Sequence, residues 1–325
     1  MQCRNEVMDI NARIEYLKQK ANALPQKPGI YLMKDSHGGI LYVGKAKQLK
    51  QRVSSYFRKN TQHTNKILRL VHNVVDFETI FVDTELDALL LECQLIQQHR
   101  PIYNRQMTNF LNYQYIRFDA GNIVRTNEGA EDAIGPFRRS KQLPEIIEIL
   151  TETYQLPSVN PYKLLSLSKQ LPLMQTIPLE EKLNELKLFF RAESKTIFRY
   201  LDQRLHYFAE QLLFEQADQL LYQKKLLQSF YREILEVNTL IALPEVRFEI
   251  PLETSLEASL AADSSQVKVY QLSFGQIIHS EVVSTSDAFV PAPLTTAKRL
   301  LPTDLDPLHI ILRQLRQLNF VLSNT

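Results

Sequence analysis

Glycine is rationed along this chain and then concentrated. Only 8 glycines occur in 325 residues, where average usage would give roughly 23. Four of the eight, Gly29, Gly38, Gly39 and Gly44, fall in one sixteen-residue window. Glycine makes tight turns and lets other atoms approach the backbone closely, so this window is where backbone shape matters. It reads as two short strands, Gly29 to Lys34 (GIYLMK) and Ile40 to Lys45 (ILYVGK). The turn-rich Asp35-Ser36-His37-Gly38-Gly39 joins them at hairpin length.

Length sets a prior of about two domains. Thirty-eight Lys and Arg face thirty-six Asp and Glu, so global charge names no partner and local charge must. Cys3 and Cys93 are the only cysteines, too few for a disulfide scaffold or a multi-cysteine zinc module. No apolar run approaches membrane-spanning length, and the N-terminus carries acids and lacks the apolar core of a signal peptide. A soluble, reduced, cytoplasmic protein without a membrane partner is expected.

Along the chain, residues 1–24 hold an amphipathic helix, read from Asn5 to Ala23. The hairpin follows, then helical periods at Leu49 to Phe57 and His63 to Asn73. Val74 to Val82 alternates as a third strand should, and Thr84 to His99 is a helix that Thr84 and Asp87 open as a capping box. A short strand at Tyr113 to Phe118 precedes a polar stretch, Asp119 to Ile134, that marks the domain boundary. Residues 25–120 form the first domain and 121–178 a linker, irregular from Pro157 to Pro178 where four prolines fall. Residues 179–240 are helical, and 241–325 form a small α+β tail with a β-hairpin around Gly275 and a last helix from Leu308 to Leu322. The fold class is α+β: a three-stranded antiparallel sheet flanked by helices, a mainly helical region, and a short β-containing tail.

Gly39 to Ala46 matches GxxxxGK, the opening of a phosphate-binding P-loop. The middle residues Ile40-Leu41-Tyr42-Val43 favour a strand over a loop, and Ala46 stands where a magnesium-binding hydroxyl belongs. No nucleotide is therefore expected. The basic segment after the hairpin gives the same residues another meaning. From His37 to Val75 there are eight cations, Lys45, Lys47, Lys50, Arg52, Arg58, Lys59, Lys66 and Arg69, and no acid. Tyr42, Tyr56 and Phe57 are interleaved. Such a run is either a solvated face or a phosphodiester footprint, and the lack of mixed signs favours the latter. Lys45, Arg52, Tyr56 and Lys59 recur at intervals that bring them to one helical face beside the Tyr42 strand. Glu92 interrupts an apolar helical stripe, where an unpaired carboxylate is costly. It is either neutralised by an internal arginine, solvated at the rim of the stripe, or a ligand of Mg²⁺ or Mn²⁺.

Gly29-Ile30-Tyr31, Tyr42-Val43-Gly44-Lys45, Arg52 with Tyr56, Ala88-Leu89-Leu90-Leu91-Glu92 and Pro101-Ile102-Tyr103-Asn104, in this order, resemble the GIY-YIG nuclease domain in the form carried by the UvrC family. The resemblance implies a catalytic set of Tyr31, Tyr42, Lys45, Arg52, Tyr56 and Asn104. Tyr31 or Tyr42 would act as general base or position the attacking water, and Lys45 would lower the tyrosine pKa. Arg52 would hold the scissile phosphate, Tyr56 would complete the polar network, and Asn104 would tie the site together or touch DNA. Glu92 would be the one protein ligand of the divalent ion, with Lys47, Lys50, Arg58, Lys59, Lys66 and Arg69 along the DNA. Gly29 and Gly44 would leave room for Tyr31, Tyr42 and the strand being cut.

Farther on, Ile134-Gly135-Pro136-Phe137 resembles the GPF element that follows this domain in UvrC-like chains. Leu201 to Gln228 is similar to the UVR helical hairpin that contacts UvrB, with Phe214, Glu215 and Ala217 as contact residues. It has Leu221-Tyr222-Gln223 where the family continues with Arg-Asp, so a plain bundle segment is the alternative. The cysteine cluster of many UvrC chains has no counterpart. No segment resembles the complete RNase H-like or helix-hairpin-helix domains, which makes the short, Cho-like form the nearest type. The resemblance therefore implies a DNA repair endonuclease. It would cut lesion-bearing duplex once, 3′ of the damage, with the UvrA–UvrB–DNA complex as partner. The alternatives are a structure-specific nuclease recruited independently of UvrB and a non-catalytic DNA- or UvrB-binding module.

Overall fold

The computed structural model describes residues 9–58, 64–104, 109–252, 266–284 and 288–322. Helix α1 (Ile10–Asn22) leads to strands β1 (Gly29–Lys34) and β2 (Ile40–Ala46), then α2 (Leu49–Tyr56), α3 (Asn65–Asn73), β3 (Asp76–Phe81) and α4 (Glu85–His99). Strand β1 is central and antiparallel to both neighbours. Alternate side chains of a strand face opposite ways, and β1 uses both faces. Tyr31 and Met33 pack with Leu17, Leu49, Val53 and Leu70 of α1, α2 and α3. Ile30 and Leu32 pack, with Val43, under Ala88 and Ile96 of α4. The glycine turn is held by Asp35, whose Oδ1 accepts the N–H groups of His37 and Gly39 at 2.9 and 2.8 Å. Helix α4 opens with the reciprocal Thr84–Asp87 box.

Asp119 to Ile134, read as a polar boundary stretch, carries regular structure. Strands β4 (Gln114–Asp119), β5 (Asn122–Thr126) and β6 (Ile134–Phe137) form a second sheet in the order β5-β4-β6. Ala120 and Gly121 turn the β4–β5 hairpin with φ of 46° and 79°, the left-handed pair that a two-residue turn demands. Pro157 to Pro178, read as irregular, contains a helix as well. After α5 (Leu143–Thr153) comes α6 (Pro161–Gln170), in which Pro161 occupies the first turn and Asn160 caps the Tyr162 N–H. Proline is tolerated there because the first helical N–H has no intrahelical acceptor to lose. Helices α7 (Leu179–Phe190), α8 (Thr196–Glu210) and α9 (Phe214–Ala242) complete a helical core around Phe189, Phe190, Tyr200 and Phe230.

The tail forms a third antiparallel sheet of β7 (Val246–Pro251), β8 (Gln266–Ser273) and β9 (Gln276–Ser284), backed by α10 (Pro302–Gln317). Helix α10 begins six residues before its expected start at Leu308, despite Pro307 inside it. Asp304 Oδ2 accepts the Leu301 N–H at 2.8 Å and starts the helix. Pro307 lacks the N–H that the Thr303 carbonyl would take, and Gln97 Nε2 of α4 donates to that carbonyl instead, at 3.0 Å. Leu86 of α4 shares one core with Phe248, Tyr270, Leu308 and Ile311. Among the described residues no helix is long and apolar enough to cross a membrane.

Candidate functional site

Strand β2 is an edge, and an edge exposes a row of unpaired main-chain groups. Three residues in alternation find partners outside the sheet. The Leu41 carbonyl accepts the Tyr103 N–H at 3.1 Å. The Asn104 amide takes both groups of Val43, its Oδ1 accepting the N–H at 2.9 Å and its Nδ2 donating to the carbonyl at 2.8 Å. The Lys45 N–H donates to Glu92 Oε1 at 3.1 Å. This brings Asn104 and Glu92, from distant parts of the sequence, to the same edge.

Beside that edge, three tyrosines from β1, β2 and α2 form a cluster. Tyr31 and Tyr56 hydroxyls are 2.8 Å apart, and the Tyr31–Tyr42 and Tyr42–Tyr56 ring centroids lie 5.9 and 6.5 Å apart. Tyr31 and Tyr56 are buried, and Tyr42 is half-buried. Arg52, one helical turn before Tyr56, lies over its ring at 5.3 Å. It reaches an open depression lined also by Lys47, Gln48, Gln51 and Ser55. Gly44 pairs with Tyr31 across the hairpin, and a β-carbon there would stand 2.5 Å from the Tyr31 hydroxyl and 2.8 Å from the Tyr42 ring. Gly29 has another reason. A β-carbon there would meet the Ile80 carbonyl oxygen at 2.4 Å and Leu49 at 2.6 Å, so it makes room for β3 and α2, not for the tyrosines.

Electrostatics set the Lys45 side chain apart from the tyrosines. Its ammonium is bound 3.0 Å from Glu85, which also holds Lys47 at 3.0 Å. Burial, with Tyr56 and Glu92 behind it, pushes the Tyr42 phenol up to about 12. Burial lifts Tyr31 well above the ordinary phenol range too, and the cation opposing that is Arg52. Glu85 was missed in the sequence, although it stands seven residues before Glu92 and so within about 20° of it around an ideal helix. It also lessens the one-sign character of the basic run, because acids from outside the run can pair with it.

Glu92 has a carboxyl raised by burial, against the Lys45 N–H and the charges of Lys45 and Arg52. Among the described residues its Oε2 has no hydrogen-bond or ion-pair partner within the protein. No group of three His, Cys, Asp or Glu there could hold a metal. A carboxylate anchored through one oxygen fits a hard divalent ion that keeps most of its water, and does not make a closed zinc site. Cys93, the next residue, is buried in the core.

Of the expected DNA-contacting cations, Lys66 and Arg69 are exposed on α3, Arg58 is exposed just after α2, and Lys50 is half-buried on α2. Lys59 lies outside the described residues. Phe214, Glu215 and Ala217 begin α9 at its turn from α8, with Phe214 68% exposed and Ala217 packed partly on the helical core.

Residues 27–105 match the model of the UvrC-like GIY-YIG domain. UvrABC system protein C of Clostridium botulinum is 39% identical over 147 residues, which are 43% of this chain and 24% of the relative. That of Lachnospira eligens is 36% identical over 151 residues, 44% and 25% of the two chains. This chain thus spans about a quarter of the length of the curated relatives it matches. Among solved structures, the GIY-YIG N-terminal endonuclease domain of UvrC from Thermotoga maritima, bound to its catalytic magnesium, is 38% identical. The match covers 28% of this chain and 97% of that one, with a TM-score of 0.26.

Proposed function

We propose that this chain, which carries a UvrC-like GIY-YIG domain over residues 27–105, is a DNA endonuclease. It hydrolyses one phosphodiester on the 3′ side of a lesion in duplex DNA, in concert with UvrA and UvrB. The observation that carries this reading is the convergence of Tyr31, Tyr42, Tyr56 and Arg52 beside the strand edge where Glu92 is anchored.

In this reading Arg52 binds the scissile phosphate and stabilises the charge added as water attacks. Its guanidinium is kept in place by the Tyr56 ring. Tyr42, the least buried of the three tyrosines, orients the attacking water. Tyr31 and Tyr56 bind each other and hold Tyr42 and Arg52 in position. Asn104 spends its amide on Val43 and so fixes β2 rather than the substrate. Lys45 acts through its N–H, which aims the Glu92 carboxylate, while its ammonium and Lys47 flank the phosphate path from Glu85. Glu92 would hold the divalent ion, Mg²⁺ or Mn²⁺, which when bound stabilises charge on the leaving oxygen.

Recruitment through UvrB is supported by the α8–α9 hairpin, whose tip exposes Leu212 at 71% and Phe214 at 68%. The purified chain, with Mg²⁺ and a lesion-bearing duplex, is expected to make one nick 3′ of the lesion only when UvrA and UvrB are both present. Unaided nicking of branched DNA would show a structure-specific nuclease instead. No nicking under either condition would leave a binding module.

A further inference from the structure

The nuclease site leaves a second cationic surface unused. A cleft of about 660 Å³ opens between the segment 111–114, β5 and the loop from β6 into α5. Four cations line it, Arg125, Arg138, Arg139 and Lys141, among amides and a hydroxyl that include Asn127 and Ser140, and no acid does. The acids of the β5–β6 connection, Glu128, Glu131 and Asp132, are not part of its lining. Surfaces normally intersperse the two signs, so four cations in one concavity form a site for an anion.

The cleft is built in two layers. Behind it, Asp306 is buried, accepts a hydrogen bond from the Tyr113 hydroxyl at 2.7 Å and holds Arg138 through Nε at 3.2 Å. Glu233 likewise holds Arg139 through Nε, and Ser229 accepts from Arg139 Nη2 at 2.9 Å. Two acids at the back against four cations at the front leave two positive charges facing outward. Among the described residues the Arg125 side chain has only the Gln114 side chain, at 3.4 Å. Lys141 makes no hydrogen bond or ion pair with any described residue.

Position names the ligand. Leu111, at the cleft, follows Asn104, at the nuclease site, by seven positions along the chain, a span of at most about 25 Å. Duplex DNA advances 3.4 Å per base pair, so roughly seven base pairs bridge that span. Tyr113, the one aromatic residue lining the cleft, is 4% exposed and offers no stacking platform for unpaired bases. We propose that this cleft grips the sugar–phosphate backbone of the duplex flanking the cut. The inference rests on the nuclease reading, because that reading supplies the duplex.

The test measures binding rather than cleavage, using fluorescence anisotropy on the full chain without divalent ions. Arg125→Ala and Lys141→Ala are combined, since neither residue holds an ion pair behind the cleft. On a duplex of about 40 base pairs, the salt dependence of the variant is expected to be shallower by about 1.8, two contacts at about 0.9 each. Affinity at low salt should fall roughly tenfold. An unchanged slope on this duplex overturns the proposal. Nicking of lesion-bearing duplex by the wild type in Mg²⁺ with UvrA and UvrB reads the underlying function separately. If nicking is absent while the slope difference persists, the cleft stands and the nuclease reading falls.

Discussion

A β-carbon on Gly44 would stand 2.5 Å from the phenolic oxygen of Tyr31, the residue paired with it across the β1–β2 hairpin. Tyr31 is fully buried and its hydroxyl is bound to Tyr56, so the ring has no space into which to retreat. Gly44→Ala should cost about 1–3 kcal/mol of stability as an overpacked site. The displaced tyrosine should also cost most of the nicking activity. Thermal melting and a single-turnover nicking assay measure the two effects, and a variant with wild-type values for both would contradict the proposed packing.

Tyr42 and Tyr31 should separate by their exposure. Tyr42→Phe removes the hydroxyl assigned to the attacking water and is expected to lower the nicking rate roughly 10²–10⁴-fold with little change in stability. Tyr31→Phe removes a buried hydrogen bond to Tyr56 and should lower stability by about 1 kcal/mol as well as the rate. Equal stability losses in the two variants would contradict this division.

The tail is fastened to the helix that carries Glu92. The Tyr270 hydroxyl donates to Asp87 Oδ1 at 2.9 Å and Lys268 reaches Asp87 Oδ2 at 2.9 Å, so both act on the capping box of α4. Tyr270→Phe should destabilise the protein by about 1–2 kcal/mol, because the partners of the hydroxyl are left in a part-buried place. Hydrogen exchange should show faster opening of the first turn of α4. Unchanged protection there would mean that the contact carries no coupling.

Acid stability should depend on Glu233. Burial works to raise its carboxyl, but His309 and Arg139 outweigh that and hold it below its ordinary 4.5. A carboxyl depressed on folding contributes stability that is fully present above the unfolded value and is lost as pH falls through the folded one. The melting temperature should therefore fall as the pH drops below about 4.5. Glu233→Gln should flatten that decline while lowering stability at neutral pH by about 1–3 kcal/mol. A decline of undiminished steepness in the variant would remove Glu233 as its source.

The strands and the tyrosine cluster were legible because they depend on local pattern. GIYLMK and ILYVGK are short apolar runs joined by a turn-rich stretch, β1 burying both its faces, and spacing along α2 puts Arg52 beside Tyr56. What escaped was set by partners distant in sequence. Glu85 neutralises Lys45 and Lys47 from another element. Helix α10 runs through Pro307 because Gln97 of α4 satisfies the carbonyl that the proline orphans. The second sheet was hidden in a polar stretch, though Gly121 marked its two-residue turn.

The central claim, that Glu92 holds the divalent ion of a phosphodiesterase site, is tested most directly by single-turnover nicking with Glu92→Gln. The substrate is lesion-bearing duplex with Mg²⁺, UvrA and UvrB, and DNA binding is measured in parallel. Glutamine keeps the shape of the side chain and its acceptor for the Lys45 N–H but removes the charge. The account predicts that nicking is abolished while DNA binding stays within about twofold of wild type, a difference under roughly 0.5 kcal/mol. Nicking at the wild-type rate by Glu92→Gln would contradict it.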